Sequence, residues 1–306
     1  MIYTLTTNPA IDMNICSNGF EARKVNRTFN AVYTPNGKGL NVSFTMKHFG
    51  LDSCIMGFFG SFSGKYIVEG AQEKGVKVLP VWGDDVTRIN IFLNDGQTEY
   101  KMVNEGAFID RRQQDEMLEL IANAQDMEYL SISGSLPRGI STDFYDELLQ
   151  LCTKRNIEAI LDISSPKLAE LLAYRPLLIK PNDEETRNIF GLQMSDEAEI
   201  VSAMHKLHEM GARNVLLTLG ERGAYFFDGM HIYYASPKPV KLLSSACAGD
   251  AALGAFLSAW LTDSGDIESA LKKMAATGAN VAESNALGDF ANVELYIKDI
   301  KVHRVE

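Results

Sequence analysis

The chain has 306 residues, 46% of them hydrophobic and 23% charged, which suits one large α/β domain or two smaller ones in an ordinary globular enzyme. A net charge of −11 argues against nucleic acid or an anionic membrane as the main partner, but not against a small anion held by local basic residues. No apolar run reaches membrane-spanning length, Met1-Ile2-Tyr3-Thr4-Leu5 lacks a leader pattern, and Cys16, Cys54, Cys152 and Cys247 show no ligand spacing, so reduced thiols in a cytoplasmic protein are expected.

Strand and helix signals alternate along the chain. Ile2 to Thr6 reads as a buried strand, Leu40 to Phe49 as a helix stopped by Gly50, and Ser53 to Phe58 as a strand. Further strands are predicted at Tyr129 to Ser133, Glu158 to Asp162, Leu177 to Ile179 and Val215 to Leu219. Helices are predicted around Asp110 to Ala124, Thr142 to Thr153 and Asp196 to Met210. Such alternation implies a mostly parallel sheet with helices on both faces. Ile11 to Ile15, Arg27 to Tyr33 and Arg88 to Val103 break the pattern as short strands of mixed polarity, the last with a hairpin turn at Asn94-Asp95-Gly96. They predict a small inserted sheet, at about 11–34 and 87–103, acting as a lid on a single domain spanning 1–306.

Several loops carry polar groups whose plain alternatives are strong. Pro35-Asn36-Gly37-Lys38-Gly39-Leu40-Asn41 opens a helix without being a Walker A loop; Lys38 suits a phosphate and Asn41 a sugar hydroxyl, yet a simple loop-to-helix turn reads the same way. Arg27 and Arg88 sit on lid strands, either as solvated edge charges or as a phosphate clamp with Lys38. Ser133-Gly134-Ser135-Leu136-Pro137-Arg138 lies at the C-terminal end of a strand, where open α/β sheets bind ligands. Lys180-Pro181-Asn182-Asp183-Glu184-Glu185 opens a helix, so its acids either satisfy the helix dipole or, at Glu185, organise water around Mg²⁺. Thr218-Leu219-Gly220-Glu221-Arg222-Gly223 is a nucleotide-contacting turn or a simple hairpin. His205 and His208 are three apart with no third ligand evident, and no metal pattern is read into them.

The stretch from Lys241 to Leu257 is the most pointed. It reads as a strand at Val240 to Leu243, a turn of small residues, and an apolar helix running to about Thr262. A buried helix start leaves N–H groups and a positive dipole end for an anion. Asp250 there is either a helix cap or a general base beside a phosphoryl group.

Taken together, these motifs resemble the PfkB carbohydrate kinases of the ribokinase-like fold, in the branch of 1-phosphofructokinases and tagatose-6-phosphate kinases. The resemblance rests on Asn8-Pro9-Ala10-Ile11-Asp12, Asn26-Arg27, Gly37-Lys38-Gly39-Leu40-Asn41, Thr87-Arg88-Ile89-Asn90, Ser133-Gly134-Ser135-Leu136-Pro137, Lys180-Pro181-Asn182-x-x-Glu185, Leu219-Gly220-x-x-Gly223 and Ala248-Gly249-Asp250, in order along the chain. It implies a three-layer fold, a mostly parallel central sheet with helices on both faces and a small β-sheet lid. It implies an ATP- and Mg²⁺-dependent kinase of a phosphorylated ketohexose, fructose 1-phosphate first and tagatose 6-phosphate second. Asp12 and Asn41 would then hold sugar hydroxyls, with Gly37, Ser135 and Arg138 nearby, while Lys38, Arg88 and Arg27 take the phosphate already on the sugar. Lys180, Asn182 and Glu185 would position Mg²⁺ (Glu185 through water) and the ATP phosphates; Thr218, Gly220 and Gly223 would touch the nucleotide. Asp250 would be the base, with the Cys247, Ala248 and Gly249 amides as anion hole. A homodimer through the lid strands is a further expectation.

Three positions depart from the family pattern. Cys247 and Asn36 replace glycines, and Asp162-Ile163-Ser164-Ser165 ends in Ser where glycine is usual. A Cys at φ > 0 would cost about 1–2 kcal/mol. These changes keep open a rival reading, a sugar-phosphate-binding regulator with weakened turnover.

Overall fold

The computed structural model describes residues 1–306. In chain order the strands begin with β1 (Ile2–Thr6), β2 (Ala10–Ser17), β3 (Thr28–Asn36), β4 (Ser53–Gly60), β5 (Lys77–Gly83), β6 (Ile89–Asn94) and β7 (Glu99–Met102). They continue with β8 (Tyr129–Ser133), β9 (Glu158–Asp162), β10 (Leu178–Ile179), β11 (Asn214–Thr218), β12 (Ala224–Phe227), β13 (Ile232–Ala235) and β14 (Val302–Arg304). The helices are α1 (Lys38–His48), α2 (Ser61–Glu73), α3 (Arg111–Asn123), α4 (Asp143–Arg155) and α5 (Leu168–Leu171), followed by α6 (Asp183–Phe190), α7 (Glu197–Glu209), α8 (Ala248–Trp260), α9 (Ile267–Ala282) and α10 (Val293–Tyr296).

Ten strands form one sheet in the order β14-β13-β12-β11-β10-β9-β8-β1-β4-β5. From β11 to β5 neighbours are parallel; β12, β13 and β14 add antiparallel. Alternate residues serve opposite faces, as the pleat dictates. Tyr3, Leu5, Leu161, Val215 and Leu217 pack with residues of α3, α4 and α7, whereas Ile2, Ile160 and Leu216 pack with α1, α8 and α9. The predicted three layers are therefore present.

Parallel register sets the site. Thr6, Ser133 and Asp162, the last residues of β1, β8 and β9, stand side by side at the C-terminal edge. The second sheet, β3-β2-β6-β7, comes from two excursions of the chain and carries the expected strands of mixed polarity and the Asn94-Asp95-Gly96 turn. Its parallel pairing of β2 with β6 sets Asp12 opposite Asn90.

One predicted strand is absent. Val240 to Leu243 is irregular, with Leu242 and Leu243 exposed. Pro237 and Pro239 remove ladder donors just upstream, and the Leu243 and Ser244 amides donate instead to the Ala282 carbonyl at the end of α9. The segment is thus tied to a helix end rather than a sheet. The helix after it is buried as predicted, almost every residue from Asp250 to Trp260 being enclosed.

Candidate active site

Two helices start at the C-terminal edge with no side-chain cap, α1 after Gly37 and α8 after Cys247. Gly37 has φ +151°, and a Cβ there would lie 2.6 Å from the Thr6 methyl, so the turn requires glycine. Gly254 lets the helices meet, since a Cβ would lie 2.6 Å from the Val42 carbonyl oxygen. Their close approach brings Asn41 Nδ2 to 2.9 Å from Asp250 Oδ2, both side chains buried. Asp250 occupies the third helical position but does not cap: its carboxylate accepts from Asn41. Burial raises that carboxyl to about 6, against the attraction of Lys38 and Lys180.

A cavity of about 500 Å³ opens over these residues. At one end, on the small sheet, Asp12 accepts from Asn90 Nδ2 at 2.9 Å and from Asn36 Nδ2. Burial raises the Asp12 carboxyl, with these amides and Arg88 opposing. The Arg88 guanidinium donates to the Asn8 carbonyl at 3.0 Å and the Asn104 carbonyl at 3.3 Å, with Nε buried and unpartnered. Ser135 lines the same cavity, its carbonyl accepting from Thr7 Oγ1 at 2.7 Å.

The other end is built by the large sheet. Asp162 Oδ1 lies 3.4 Å from Lys38 Nζ and 3.1 Å from Lys180 Nζ. Asp162 is buried, which would raise its carboxyl, but the two ammonium groups outweigh this and hold it low. Lys38 is in turn shifted up, first by Asp162 and further by Asp250 and Glu185, against its own burial. A Cβ on Gly249 would sit 3.7 Å from Lys180 Nζ, which places that lysine beside the first turn of α8. Cys247 is left-handed at φ 64°, and its thiol, pushed up to about 12 by burial and then by Asp250 and Asp12, faces Asn36 Nδ2 at 3.6 Å.

These features agree with the comparisons. The profile of the pfkB family carbohydrate kinases matches residues 5–292. The chain belongs to this family. D-tagatose-1-phosphate kinase of Klebsiella oxytoca is 48% identical over 99% of both chains, and 1-phosphofructokinase of Bacillus subtilis is 31% identical over 100% of both. The structure of phosphofructokinase-2 from Escherichia coli in complex with substrates and products superimposes with a TM-score of 0.89 at 26% identity, covering 97% of this chain and 98% of that one. The protein is a carbohydrate kinase of the ribokinase-like fold.

Not every expected residue of this kinase reaches the cavity. Arg27 is exposed on the connection before β3 and lines no part of it. Arg138 is turned away: its guanidinium pairs with Asp85 at 2.9 Å and donates to the Gly106 carbonyl at 3.0 Å. Neither side chain lines the cavity in this conformation. Lys38 lines the cavity and pairs with Asp162. Asn182 and Glu185 lie outside the cavity lining and form a capping box at the start of α6, with Glu185 Oε1 also accepting from Ser164. Thr218 bridges to Asn182 at the strand ends. Gly220 faces open space, whereas Gly223 is a packed turn residue: a Cβ would lie 2.3 Å from the Ala235 carbonyl oxygen. β11 and β12 do form a hairpin, the plainer of the two alternatives for this turn.

No three His, Cys, Asp or Glu side chains gather into a metal cage. The donors at this edge, Glu185 oriented by Ser164 and the Asn182 amide, fit a Mg²⁺ that arrives on nucleotide phosphates and keeps its water. Sequence reasoning missed Asn36, Asn90 and Asp162. Asn36, which stands where the family pattern has glycine, ends β3 without positive φ and bonds Asp12, the Gly37 amide, Asn41 and the Cys247 thiol. The signal available was its place between Asp12 and Asn41 in two motifs.

Proposed function

We propose that the kinase transfers the γ-phosphoryl group of ATP to the C6 hydroxyl of a ketohexose 1-phosphate, D-tagatose 1-phosphate ahead of D-fructose 1-phosphate. The observation that supports this best is the Asp250 carboxylate, buried, unused for capping and bonded to Asn41 at an uncapped helix start. In this reading Asp250 accepts the hydroxyl proton as the sugar oxygen bonds to phosphorus and ADP departs. The Ala248 and Gly249 amides face the charge that develops. Asp12 and Asn41 orient sugar hydroxyls, and Arg88 receives the phosphate already present. Glu185 would hold Mg²⁺ through water, and the ion would supply positive charge to the nucleotide phosphates.

The order of substrates follows the 48%-identical relative named for D-tagatose 1-phosphate. It moves fructose 1-phosphate, first in the expectation from sequence, to second and tagatose 6-phosphate to third. Tagatose and fructose 1-phosphates share the same phosphate and acceptor carbons and differ only at C4. A coupled ADP-release assay across both, with the 6-phosphates and free sugars, tests the reading. Tagatose 1-phosphate is expected to give the highest kcat/KM, and free sugars almost none. A tenfold preference for a 6-phosphate overturns the order; equal use of a free sugar removes the clamp.

For assembly we propose a homodimer through the small sheet, whose outer strand β3 exposes Phe29, Val32 and Tyr33 at 44, 53 and 49%. Sedimentation at micromolar concentration is expected to show a dimer; a monomer with ligand present defeats the proposal and leaves the lid.

A further inference from the structure

The two cations of the cavity have different neighbours. Arg88 is fixed by the Asn8 and Asn104 carbonyls on the small sheet, and the carboxylate it senses is Asp12. Lys38 sits at the edge of the large sheet against Asp162, with Lys180 on the same oxygen. Its field reaches Asp250 and Glu185, the proposed base and the residue on the nucleotide side. The two cations thus line one cavity with Asp250 but answer to different carboxylates, Arg88 to Asp12 and Lys38 to Asp162. The side chain of Lys38 is one-third exposed, toward the cavity, and its contact with Asp162 is long at 3.4 Å. Asp162 keeps a partner in Lys180 when Lys38 moves.

We propose that Lys38 is a catalytic residue that contacts the phosphoryl group in flight, and that it is not part of the clamp for the phosphate the sugar already carries. The proposal rests on the phosphotransfer reading above and corrects the place of Lys38 within it. At rest Lys38 shares Asp162 with Lys180. When the terminal phosphate enters between the start of α8 and the base, its oxygens offer Lys38 a stronger anion than the shared carboxylate. The bond from phosphorus to the bridging oxygen of ADP breaks as the bond to the sugar oxygen forms, and the proton passes to Asp250. Lys38 keeps its own proton throughout and contributes charge alone.

The test compares Lys38→Met, Lys38→Arg and Arg88→Ala. Calorimetry reads binding of tagatose 1-phosphate and fructose 1-phosphate without nucleotide, steady-state kinetics read kcat, and thermal melts read the stabilisation produced by ADP, magnesium, aluminium fluoride and sugar phosphate together. Lys38→Met is expected to lower kcat about 100- to 1,000-fold, the scale of one lost transition-state contact. It should leave the sugar-phosphate Kd within about threefold and lose the extra stabilisation by the fluoride complex. Lys38→Arg should restore part of both losses and guards against misfolding. Arg88→Ala should show the reverse split, a weaker Kd with the fluoride stabilisation retained at saturating sugar. If Lys38→Met weakens sugar-phosphate binding as Arg88→Ala does and keeps its kcat at saturation, Lys38 belongs to the clamp. A wild type that turns over no ketohexose phosphate brings down the phosphotransfer reading and this proposal with it.

Discussion

Helices α6 and α8 begin at the same edge of the sheet, and each carries an acid at its third position, Glu185 in one and Asp250 in the other. Glu185 reaches back to the Asn182 amide while Asn182 accepts from Glu185, so the start of α6 is closed by its own residues. At α8 the preceding residue is Cys247, left-handed and without a capping atom, and Asp250 points across to Asn41 instead. One start uses its acid for stability. The other leaves its N–H groups available and keeps its acid in a buried, unfavourable setting, as sites for charge transfer do.

The largest expected effect separates them by rate. Asp250→Asn should lower kcat by about 10²–10⁴-fold with substrate binding retained; a variant holding more than a tenth of wild-type kcat makes Asp250 structural. The same change should stabilise the fold. The folded carboxyl titrates near 6 against an ordinary 3.8, so between those values the folded chain holds more protons than the unfolded one. Stability from this group is therefore present at low pH and lost as pH rises through about 6. Asp250→Asn should gain roughly 1–3 kcal/mol at pH 8 and little at pH 4, read by denaturant titration.

Next in size is Arg88→Ala, expected to reduce kcat/KM for the sugar phosphate by about 2–3 kcal/mol while the KM for ATP stays put. Glu185→Ala should then move stability opposite to Asp250→Asn, losing about 1 kcal/mol with its capping box. A gain there erases the contrast between the two helix starts. Smallest is Cys247→Gly. Relief of left-handed strain, set against the greater freedom of glycine when unfolded, should leave a gain of about 0.5–1 kcal/mol with kcat unchanged or higher. Lower stability in thermal melts defeats that account.

Sequence pattern carried the alternation of strands and helices, the small sheet and the burial of α8, because each depends on local periodicity over many residues. It was silent on α2 and on β5, where Pro80 lies inside a strand; β5 is an edge of the large sheet, and an edge tolerates that residue. Val240 to Leu243 looked like a strand because β-branched and apolar residues say nothing about where amides find partners. The orientation of Arg138 was hidden for a similar reason. A guanidinium at the right motif position goes to the best acceptor in reach, and for Arg138 that is Asp85, 53 residues away in sequence. Asn36 and Asp162 were hidden because their importance lies in what surrounds them, two polar chains and two lysines brought together only by the fold.

The bond between Asn41 and Asp250 joins residues 209 positions apart. Contacts of that span form late, since the loop they close must be ordered before they repay its entropy. Asp12 and Asn90 are only 78 apart, so the proposed sugar end is joined by a much shorter loop than the proposed base. On the proposed roles, phosphate transfer then needs two distant stretches of the chain to have met, and turnover reports that they have.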